Sequence, residues 1–355
     1  MISLYIHVPF CKQKCSYCTF YSHDGSLKAR YVDTVVSALE HFKGDDVYSV
    51  YIGGGTPSTL TPSQLELILD SVRKNYNVLS GAEITVEANP ESLTDEFLRS
   101  AKNGGVNRIS LGVQSFVDKE LKAINRLHDA VAAISAIKKC KDHGFLNISC
   151  DLIFGLPFQT VDSLKYSLDT LVGLDVPHIS CYNLIVEDGT PIVKLLNDIP
   201  GEDTQREMYF CVCDTLKSAG YCHYEISNFA KKGFRAKHNS VYWQGNDYLG
   251  IGPSAHSLLN GMRYAFDADT QKFINNKDFV FDSEETVENP LFEKIMLGLR
   301  TDSGIKTSLL KNSDSYIKKL VDGGFANVKD GVLTLTDNGY YLSNTIISDI
   351  TAKEC

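Results

Sequence analysis

The first half of the chain alternates short runs of β-branched residues with longer amphipathic segments. Helical periodicity is found, for example, over Leu27–Phe42 and Ser63–Tyr76. Such alternation is typical of a parallel sheet with helices packed outside it. Because six strand-helix units are fewer than the eight of a full barrel, the pattern predicts an α/β fold with an open, partial (βα)6 barrel of the TIM type. The predicted strands are Ser3–Val8, Val47–Ile52, Glu83–Ala88, Arg108–Val113, Asn147–Phe154 and His178–Leu184.

The pattern changes after Leu184, where an aromatic, glycine-rich stretch from Gly220 to about Tyr264 fits no simple repeat. A small α+β domain of the winged-helix type is predicted at the C-terminus. We therefore predict three regions: a partial barrel over 1–200, a separate region over 201–285, and the small domain over 286–355. The elements predicted in this half are helices over Asp203–Ala219, Leu291–Leu299 and Ser315–Gly323, a hairpin over Phe325–Leu335, and a final helix.

Composition and charge exclude some classes of protein. The 355 residues are 43% hydrophobic and 22% charged, which is ordinary for a globular chain, and the formal net charge of −9 argues against a general nucleic-acid binder. No apolar run approaches the roughly 20 residues that span a bilayer, and Met1 leads directly into a strand without a signal-peptide pattern. We expect a cytoplasmic protein, in which the ten cysteines are free thiols or metal ligands.

Three cysteines form a set in the loop that follows the first predicted strand. Cys11, Cys15 and Cys18 fall within eight residues, at the strand end where a parallel barrel places its chemistry. Three thiolates can hold a 4Fe-4S cluster and leave one iron open for an exchangeable ligand. The alternatives are a zinc site completed by His7 or His23, or a chance grouping. The other cysteines are expected to be small buried residues, except a terminal thiol at Cys355: Cys140, Cys150, Cys181, Cys211, Cys213 and Cys222.

The run Gly53-Gly54-Gly55-Thr56 ends the second predicted strand. Glycines at that place let the backbone approach a ligand closely, although a plain tight turn has the same composition.

In the third predicted strand, alternation with Val86 and Ala88 places Glu87 inside the barrel. An inward carboxylate needs a polar partner, either ligand hydroxyls or a salt bridge to a neighbour such as Arg108. Gln114 and Asp151 occupy comparable strand ends. Arg126 is predicted on a helix, where a solvated charge is the ordinary interpretation.

Several motifs resemble the radical S-adenosylmethionine (SAM) coproporphyrinogen-dehydrogenase-like family, and most closely its heme chaperone branch. The resemblance runs through Tyr-Ile-His-Val-Pro-Phe-Cys, Gly-Gly-Gly-Thr-Pro, Val-Glu-Ala-Asn-Pro, Gly-Val-Gln-Ser-Phe and Asp-Leu-Ile-Phe-Gly-Leu-Pro, and continues in His-Tyr-Glu-Ile-Ser-Asn-Phe-Ala. It implies a 4Fe-4S cluster on Cys11, Cys15 and Cys18, with SAM on the open iron. By the same resemblance the SAM site contains Tyr5, Tyr17, Gly54, Gly55, Thr56, Glu87, Gln114, Arg126, Asp151 and the backbone of Ile185.

The motif His238-Asn-x-x-Tyr242-Trp243 is the one that the resemblance associates with heme. It implies that His238 is an axial ligand to heme iron, with Trp243 packed on the macrocycle. The alternative is a hydrogen-bonded histidine in a folded loop. The basic residues that precede it could pair with heme propionates, contact an anionic membrane surface, or form a solvated loop; they are Lys231, Lys232, Arg235 and Lys237.

The function implied by the resemblance is a heme chaperone that passes heme to acceptor hemoproteins. Two alternatives stay open: an oxygen-independent coproporphyrinogen III dehydrogenase, and a zinc-stabilised interaction protein. The dehydrogenases carry another cysteine where this chain has Phe20, and a longer segment before the first strand, which here begins at residue 2. Dehydrogenase activity is therefore not expected. A homodimer is a further hypothesis.

Overall fold

A computed structural model describes all 355 residues. The strands are β1 (Ile2–Val8), β2 (Asp46–Gly54), β3 (Asn77–Ala88), β4 (Arg108–Gln114), β5 (Asn147–Phe154), β6 (His178–Asn183), β7 (Cys222–Glu225), β8 (Asn228–Ala230), β9 (Tyr248–Ile251), β10 (His256–Leu259), β11 (Met262–Ala265), β12 (Ser283–Thr286), β13 (Ile305–Lys306), β14 (Ala326–Lys329) and β15 (Val332–Leu335). The helices are α1 (Lys28–His41), α2 (Pro62–Asn75), α3 (Asp95–Asn103), α4 (Asp118–Ala123), α5 (Ala130–Asp142), α6 (Val161–Gly173), α7 (Glu202–Ser218), α8 (Lys237–Trp243), α9 (Thr270–Asn275), α10 (Pro290–Gly298), α11 (Asp314–Asp322), α12 (Asp337–Tyr341) and α13 (Ser343–Glu354).

The six N-terminal strands pair in sequence order and in parallel, which confirms the predicted partial barrel. The observed bounds of β5 coincide with the predicted ones. Strand β3 begins six residues earlier than predicted, at Asn77 rather than Glu83. Its first residues pair with β2 before a register shift, and Gly81 adopts φ +84° in the interruption. The polar Ser80-Gly81 pair interrupts the strand pattern, so the sequence did not show where this strand starts.

Residues 201–285, which the sequence set apart, extend the same sheet at both edges. Strands β8 and β7 continue it beyond β6, and β9 pairs in parallel with β1 before the antiparallel β10, β11 and β12. These strands have three or four residues each, too few for a periodic pattern to identify them. The region is thus continuous with the barrel sheet.

The C-terminal part forms the predicted small α+β unit. A three-stranded sheet in the order β13-β15-β14 packs with α10 to α13. Its buried residues, such as Ile295 and Leu333, belong to the same apolar cluster as Leu4 and Ile6 of β1. One continuous core therefore joins this unit to the barrel.

The inside of the barrel is polar. Leu4 and Ile6 face the helices, so Ser3, Tyr5 and His7 face inward by alternation. Polar side chains occupy the corresponding positions of neighbouring strands and are buried; they include Ser49, Thr85, Ser110, Ser149 and Ser180. A lumen lined in this way suits a polar ligand.

None of the helices combines the length and the apolar composition that crossing a membrane requires.

Candidate functional site

The cysteine loop closes over the end of β1. Two backbone hydrogen bonds join its two ends, from the His23 nitrogen to the Pro9 oxygen (2.9 Å) and from the Cys11 nitrogen to the His23 oxygen (3.0 Å). Burial raises the pKa of the Cys18 thiol, and the neighbouring thiols of Cys15 and Cys11 raise it further. The loop therefore brings the three predicted ligands together, each of them partly buried.

Two donors, one just after β2 and one in the loop after α4, reach these thiols. The Thr56 hydroxyl donates to Cys11 Sγ at 3.5 Å, and Arg126 Nη1 donates to Cys15 Sγ at 3.3 Å. Donors of this kind orient thiolate ligands and tune the group that the thiolates hold. The donor set and its three sulfurs fit a 4Fe-4S cluster with one open iron.

The glycine run packs against β1 and the start of the cysteine loop, and its predicted contact with a ligand stays a prediction. At Gly54, where φ is +109°, an added Cβ would lie 2.7 Å from the His7 ring, and at Gly55 it would lie 2.9 Å from the Phe10 nitrogen. The His7 ring of β1 and the start of the cysteine loop fill this space, and Gly55 and Thr56 donate backbone hydrogen bonds to Val8 and Phe10 at 2.8 Å. The glycines therefore let the loop lie directly on the end of β2.

Glu87 faces the lumen, as predicted. Its carboxylate accepts from the Tyr51 hydroxyl at 2.6 Å and from the Gly54 nitrogen at 3.0 Å, and burial raises its pKa to about 7. The alternative salt bridge to Arg108 does not form, because Arg108 lies beside Glu83 at 3.9 Å. These two donors leave lone pairs of the Glu87 carboxylate without a partner. A ligand with hydroxyl groups would donate to them.

Asp151 and Tyr5 lie on the same inner face. Burial raises the pKa of Asp151 to about 6, although a hydrogen bond from Ser180 opposes the shift. The Tyr5 hydroxyl is hydrogen-bonded to His7 Nδ1 at 2.9 Å. Near Asp151, β4 ends at Gln114 in the left-handed region (φ 69°), a conformation that is uncommon for residues other than glycine.

Arg126 corrects the sequence prediction, because it does not lie on a helix. Helix α4 ends at Ala123, and the loop after it turns the guanidinium into the barrel. There Arg126 donates to the Asn89 side chain at 2.9 Å and to the Gly112 carbonyl. Its buried Nε has no partner, so an anionic group such as an amino-acid carboxylate would complete the site.

The two remaining residues of the predicted SAM site lie at the rim. Tyr17 packs against a small apolar cluster that contains Leu156 and Ile192, and burial raises its pKa. Ile185 follows the end of β6 and is 68% exposed, and its predicted backbone contact with SAM stays a prediction. Sequence reasoning missed Asn89, which donates to Thr56 at 3.2 Å; the signal was its place in the motif beside Glu87.

His238 lies at the opposite end of the barrel and is fully buried. Its Nδ1 is hydrogen-bonded to Ser49 at 2.9 Å and its Nε2 to the Tyr242 hydroxyl at 2.7 Å. The ring also stacks on Tyr51. Neither nitrogen is free to bind iron in this conformation, so the geometry agrees with the alternative, a hydrogen-bonded histidine, although on helix α8 rather than in a loop.

Helix α8 closes the end of the lumen opposite the cysteine loop and forms one wall of a large groove. The groove has a volume of about 940 Å³ and lies between α8 and the C-terminal unit, of which α10 lines it. Trp243 and Leu297 line it, together with exposed cations such as Lys294 and Lys306. Tyr242 is instead held by His238, so the motif is divided between the barrel end and the groove.

Most of the basic residues near α8 have partners within the chain. Lys231 pairs with Asp175 at 2.5 Å, Arg235 pairs with Asp302 at 2.6 Å, and Lys237 donates to the Gly81 carbonyl at 2.8 Å. Only Lys232 of the four has no such contact. These internal pairs weaken the interpretation of this segment as a membrane-binding patch.

Cys222 is a further correction, because it is exposed rather than buried. It lies on β7, which is an edge strand of the large sheet, so one side of its backbone and side chain meets solvent.

Comparison with known proteins identifies the family. The model of the Radical SAM superfamily matches residues 5–171. The chain is 35% identical to the heme chaperone HemW of Lactococcus lactis, over 97% of this chain and 96% of that protein. It is also 35% identical to the heme chaperone HemW of Bacillus subtilis, over 98% of both chains.

The fold is similar to that of a solved structure, coproporphyrinogen III oxidase (HemN) from Escherichia coli, a radical SAM enzyme. The TM-score is 0.85 over 98% of this chain and 89% of that one, at 21% sequence identity. The polar lumen and the cysteine loop thus stand on a scaffold shared with that enzyme, while the full-length relatives are heme chaperones. The chain belongs to the HemW family of the radical SAM superfamily.

Proposed function

We propose that this protein is a heme chaperone, which binds heme and transfers it to acceptor hemoproteins. The observation that carries the proposal is the match to heme chaperones along nearly the whole chain, including the residues outside the barrel. A match confined to the barrel would support only the scaffold.

The barrel is the proposed site of a 4Fe-4S cluster and SAM. Cys11, Cys15 and Cys18 would hold the cluster and would leave one iron available for SAM. Arg126 would pair with the SAM carboxylate and Glu87 would accept from its ribose hydroxyls. When bound, the two groups supply one-electron reductive cleavage of a sulfonium, while the protein orients them and excludes water.

The groove beside α8 is the proposed heme site. Heme is planar and largely apolar, and it carries two propionates. The groove is large enough for such a ligand, its walls include the indole of Trp243 and the side chains of Leu297 and Ile305, and Lys294 and Lys306 provide cations for the propionates.

The iron ligand in this groove would be a tyrosine. No histidine, cysteine or methionine lines it. Of its two phenols, that of Tyr224 is already hydrogen-bonded to His178 at 2.8 Å, which leaves Tyr48. Phenolate is an established axial ligand type in heme proteins.

Heme titration tests this proposal directly, because Trp243 is the only tryptophan of the chain. Heme bound in the groove should quench its fluorescence in proportion to the rise of the Soret band. The double variant Lys294→Gln/Lys306→Gln should raise the Kd about tenfold, the equivalent of about 1.4 kcal/mol. The matched control Lys318→Gln/Lys319→Gln, on α11 outside the groove, should bind as the unchanged protein does.

Two further variants distinguish between Tyr48 and His238 as the iron ligand. Tyr48→Phe should shift the Soret maximum, whereas His238→Gln should leave it in place. A Soret band that changes only in His238→Gln would restore His238 as the ligand and contradict the groove site.

The enzyme alternative has its own assay. Cluster-loaded, reduced protein with SAM should leave coproporphyrinogen III unconverted, and turnover would favour the dehydrogenase interpretation instead.

A further inference from the structure

We propose that Cys213, His223 and Asp337 form a zinc site that joins the barrel to the C-terminal unit. The three residues come from α7, β7 and the first turn of α12, so they are distant in sequence and meet only in the fold. They are separate from the cysteine loop and from the heme groove proposed above, and the inference depends on neither.

The donor atoms of the three side chains converge. His223 Nδ1 lies 3.0 Å from an Asp337 carboxylate oxygen and 4.0 Å from Cys213 Sγ, and all three atoms lie within 4.8 Å of one another. Zinc binds nitrogen and oxygen at about 2.0 Å and sulfur at about 2.3 Å, so its tetrahedral ligands are roughly 3–4 Å apart. Only small side-chain movements separate the observed arrangement from a zinc site.

The surroundings orient two of the ligands. His223 Nε2 faces the Ile226 carbonyl at 3.4 Å, which leaves Nδ1 as the nitrogen directed at Cys213 and Asp337. Lys217 holds the second carboxylate oxygen of Asp337. Zinc-bound histidines and carboxylates in proteins have outer contacts of this kind, which fix the ring and the carboxylate in place.

A second observation points to a missing ligand at this place. The Tyr340 hydroxyl is buried without a hydrogen-bond partner, in a residue only 4% exposed whose ring packs on His223 with centroids 4.9 Å apart. Tyr340, His223 and Asp337 line a common cavity of about 300 Å³, which has room for a water as the fourth zinc ligand.

The donor set decides the kind of metal. One sulfur, one imidazole nitrogen and one carboxylate oxygen suit Zn²⁺, whereas Ca²⁺ and Mg²⁺ require oxygen ligands. A thiolate and a carboxylate balance the two charges of the ion. The first turn of α12 would then be tied to the buried face of α7.

Metal analysis of the intact, cluster-loaded protein tests the site. Anaerobically purified protein should retain about one zinc per chain in addition to its iron. Cys213→Ala and His223→Gln should lose the zinc and keep the iron, and Asp337→Asn, whose side chain is partly exposed and nearly isosteric, should weaken zinc binding at least tenfold. Cys211→Ala is the matched control, because Cys211 contacts Thr215 on the same helix and not the proposed site.

A spectroscopic measurement complements the metal analysis if Cys213→Ala fails to fold. The full chain with Cys11, Cys15 and Cys18 all changed to Ser has no cluster ligands, so Co²⁺ that binds it should report this site alone. We expect a thiolate-to-cobalt charge-transfer band that reaches its maximum at one equivalent of Co²⁺ and disappears when zinc displaces the cobalt. At low cobalt concentration the band should be absent if the chain also carries Asp337→Asn. Zinc below one tenth of an equivalent, or cobalt bound without a thiolate band, would overturn the proposal and leave a hydrogen-bonded cluster.

Discussion

Two histidines are buried at the end of the barrel opposite the cysteine loop, and both ring nitrogens of each are hydrogen-bonded. His178 is hydrogen-bonded to Ser149 at 2.7 Å and to Tyr224 at 2.8 Å, and His238 has the equivalent pair of contacts with Ser49 and Tyr242. Burial lowers the pKa of His238 to about 3, and it lowers that of His178 as well. Both rings are therefore neutral in the folded protein.

This neutrality predicts a loss of stability in acid. Below the unfolded-state pKa of about 6.5, the unfolded chain binds a proton at His238 that the folded chain does not bind. The free energy of unfolding should therefore fall as the pH decreases from 6.5 toward 3, by about 1.4 kcal/mol per pH unit for this residue. In His238→Gln the fall should be less steep, as measured by denaturant unfolding at pH 7, 6 and 5.

The test compares how steeply the free energy of unfolding falls with pH in His238→Gln and in the unchanged protein. The difference between these two slopes is the relevant quantity, because His178 and the carboxylates contribute to the slope of both proteins. A variant with the same slope as the unchanged protein would mean that His238 is protonated in the fold. His41→Gln, on α1, is a control that leaves the buried histidines in place.

At the scale of elements, the junction of the cysteine loop with the end of β2 decides whether the cluster ligands converge. Gly54 and Gly44 both have positive φ, +109° and +120°, but they differ in surroundings. A Cβ at Gly54 would overlap the His7 ring, while nothing lies within 4 Å of one at Gly44. Alanine substitutions at the two positions therefore separate the effect of backbone strain from that of steric overlap.

Gly54→Ala should lose most of the iron that the protein binds, because the new methyl group displaces His7 and the loop behind it. Gly44→Ala should keep its iron and lose only the roughly 1–2 kcal/mol that an unfavourable φ costs. Iron and sulfide content after anaerobic reconstitution, with thermal unfolding as the stability measurement, distinguishes the two effects. Equal iron content in both variants would show that the loop adapts to the methyl group.

At the scale of the whole molecule, the two proposed ligand sites lie at opposite ends of one barrel. Tyr48, which lines the groove, and Gly54, which lies against the cysteine loop, belong to the same strand and are separated by about 20 Å at strand geometry. Helix α8 and the buried His238 lie between the groove and the lumen. Neither site shares a side chain with the other.

Heme binding should therefore be largely independent of the cluster. The full chain with Cys11, Cys15 and Cys18 changed to Ser should bind heme with a Kd within about threefold of the cluster-loaded protein, which corresponds to less than 1 kcal/mol of coupling. The measurement is the same fluorescence and Soret titration. A change of tenfold or more would instead mean that the cluster end controls the groove through the barrel.

Local sequence patterns determined the strand-helix order, the bounds of β5, the inward direction of Glu87 and the grouping of three cysteines in one loop. Each of these depends on residues close together in the chain: alternation reports which side of a strand is buried, and the three thiols lie in one loop. The prediction of Arg126 on a helix was wrong, because helical periodicity does not show where a short helix stops.

Only the tertiary structure decided the surroundings of His238 and the meeting of Cys213 with Asp337. Ser49 and His238 are 189 residues apart, and His223 and Asp337 are 114 apart. Whether such residues touch depends on which strands pair and on where α8 and α12 pack, and these are set by burial across the whole core. His238, for which the family resemblance implied iron ligation and a hydrogen-bonded role was the alternative, is therefore a buried hydrogen-bonding group in the structure, and a cysteine without an assigned role became a candidate metal ligand.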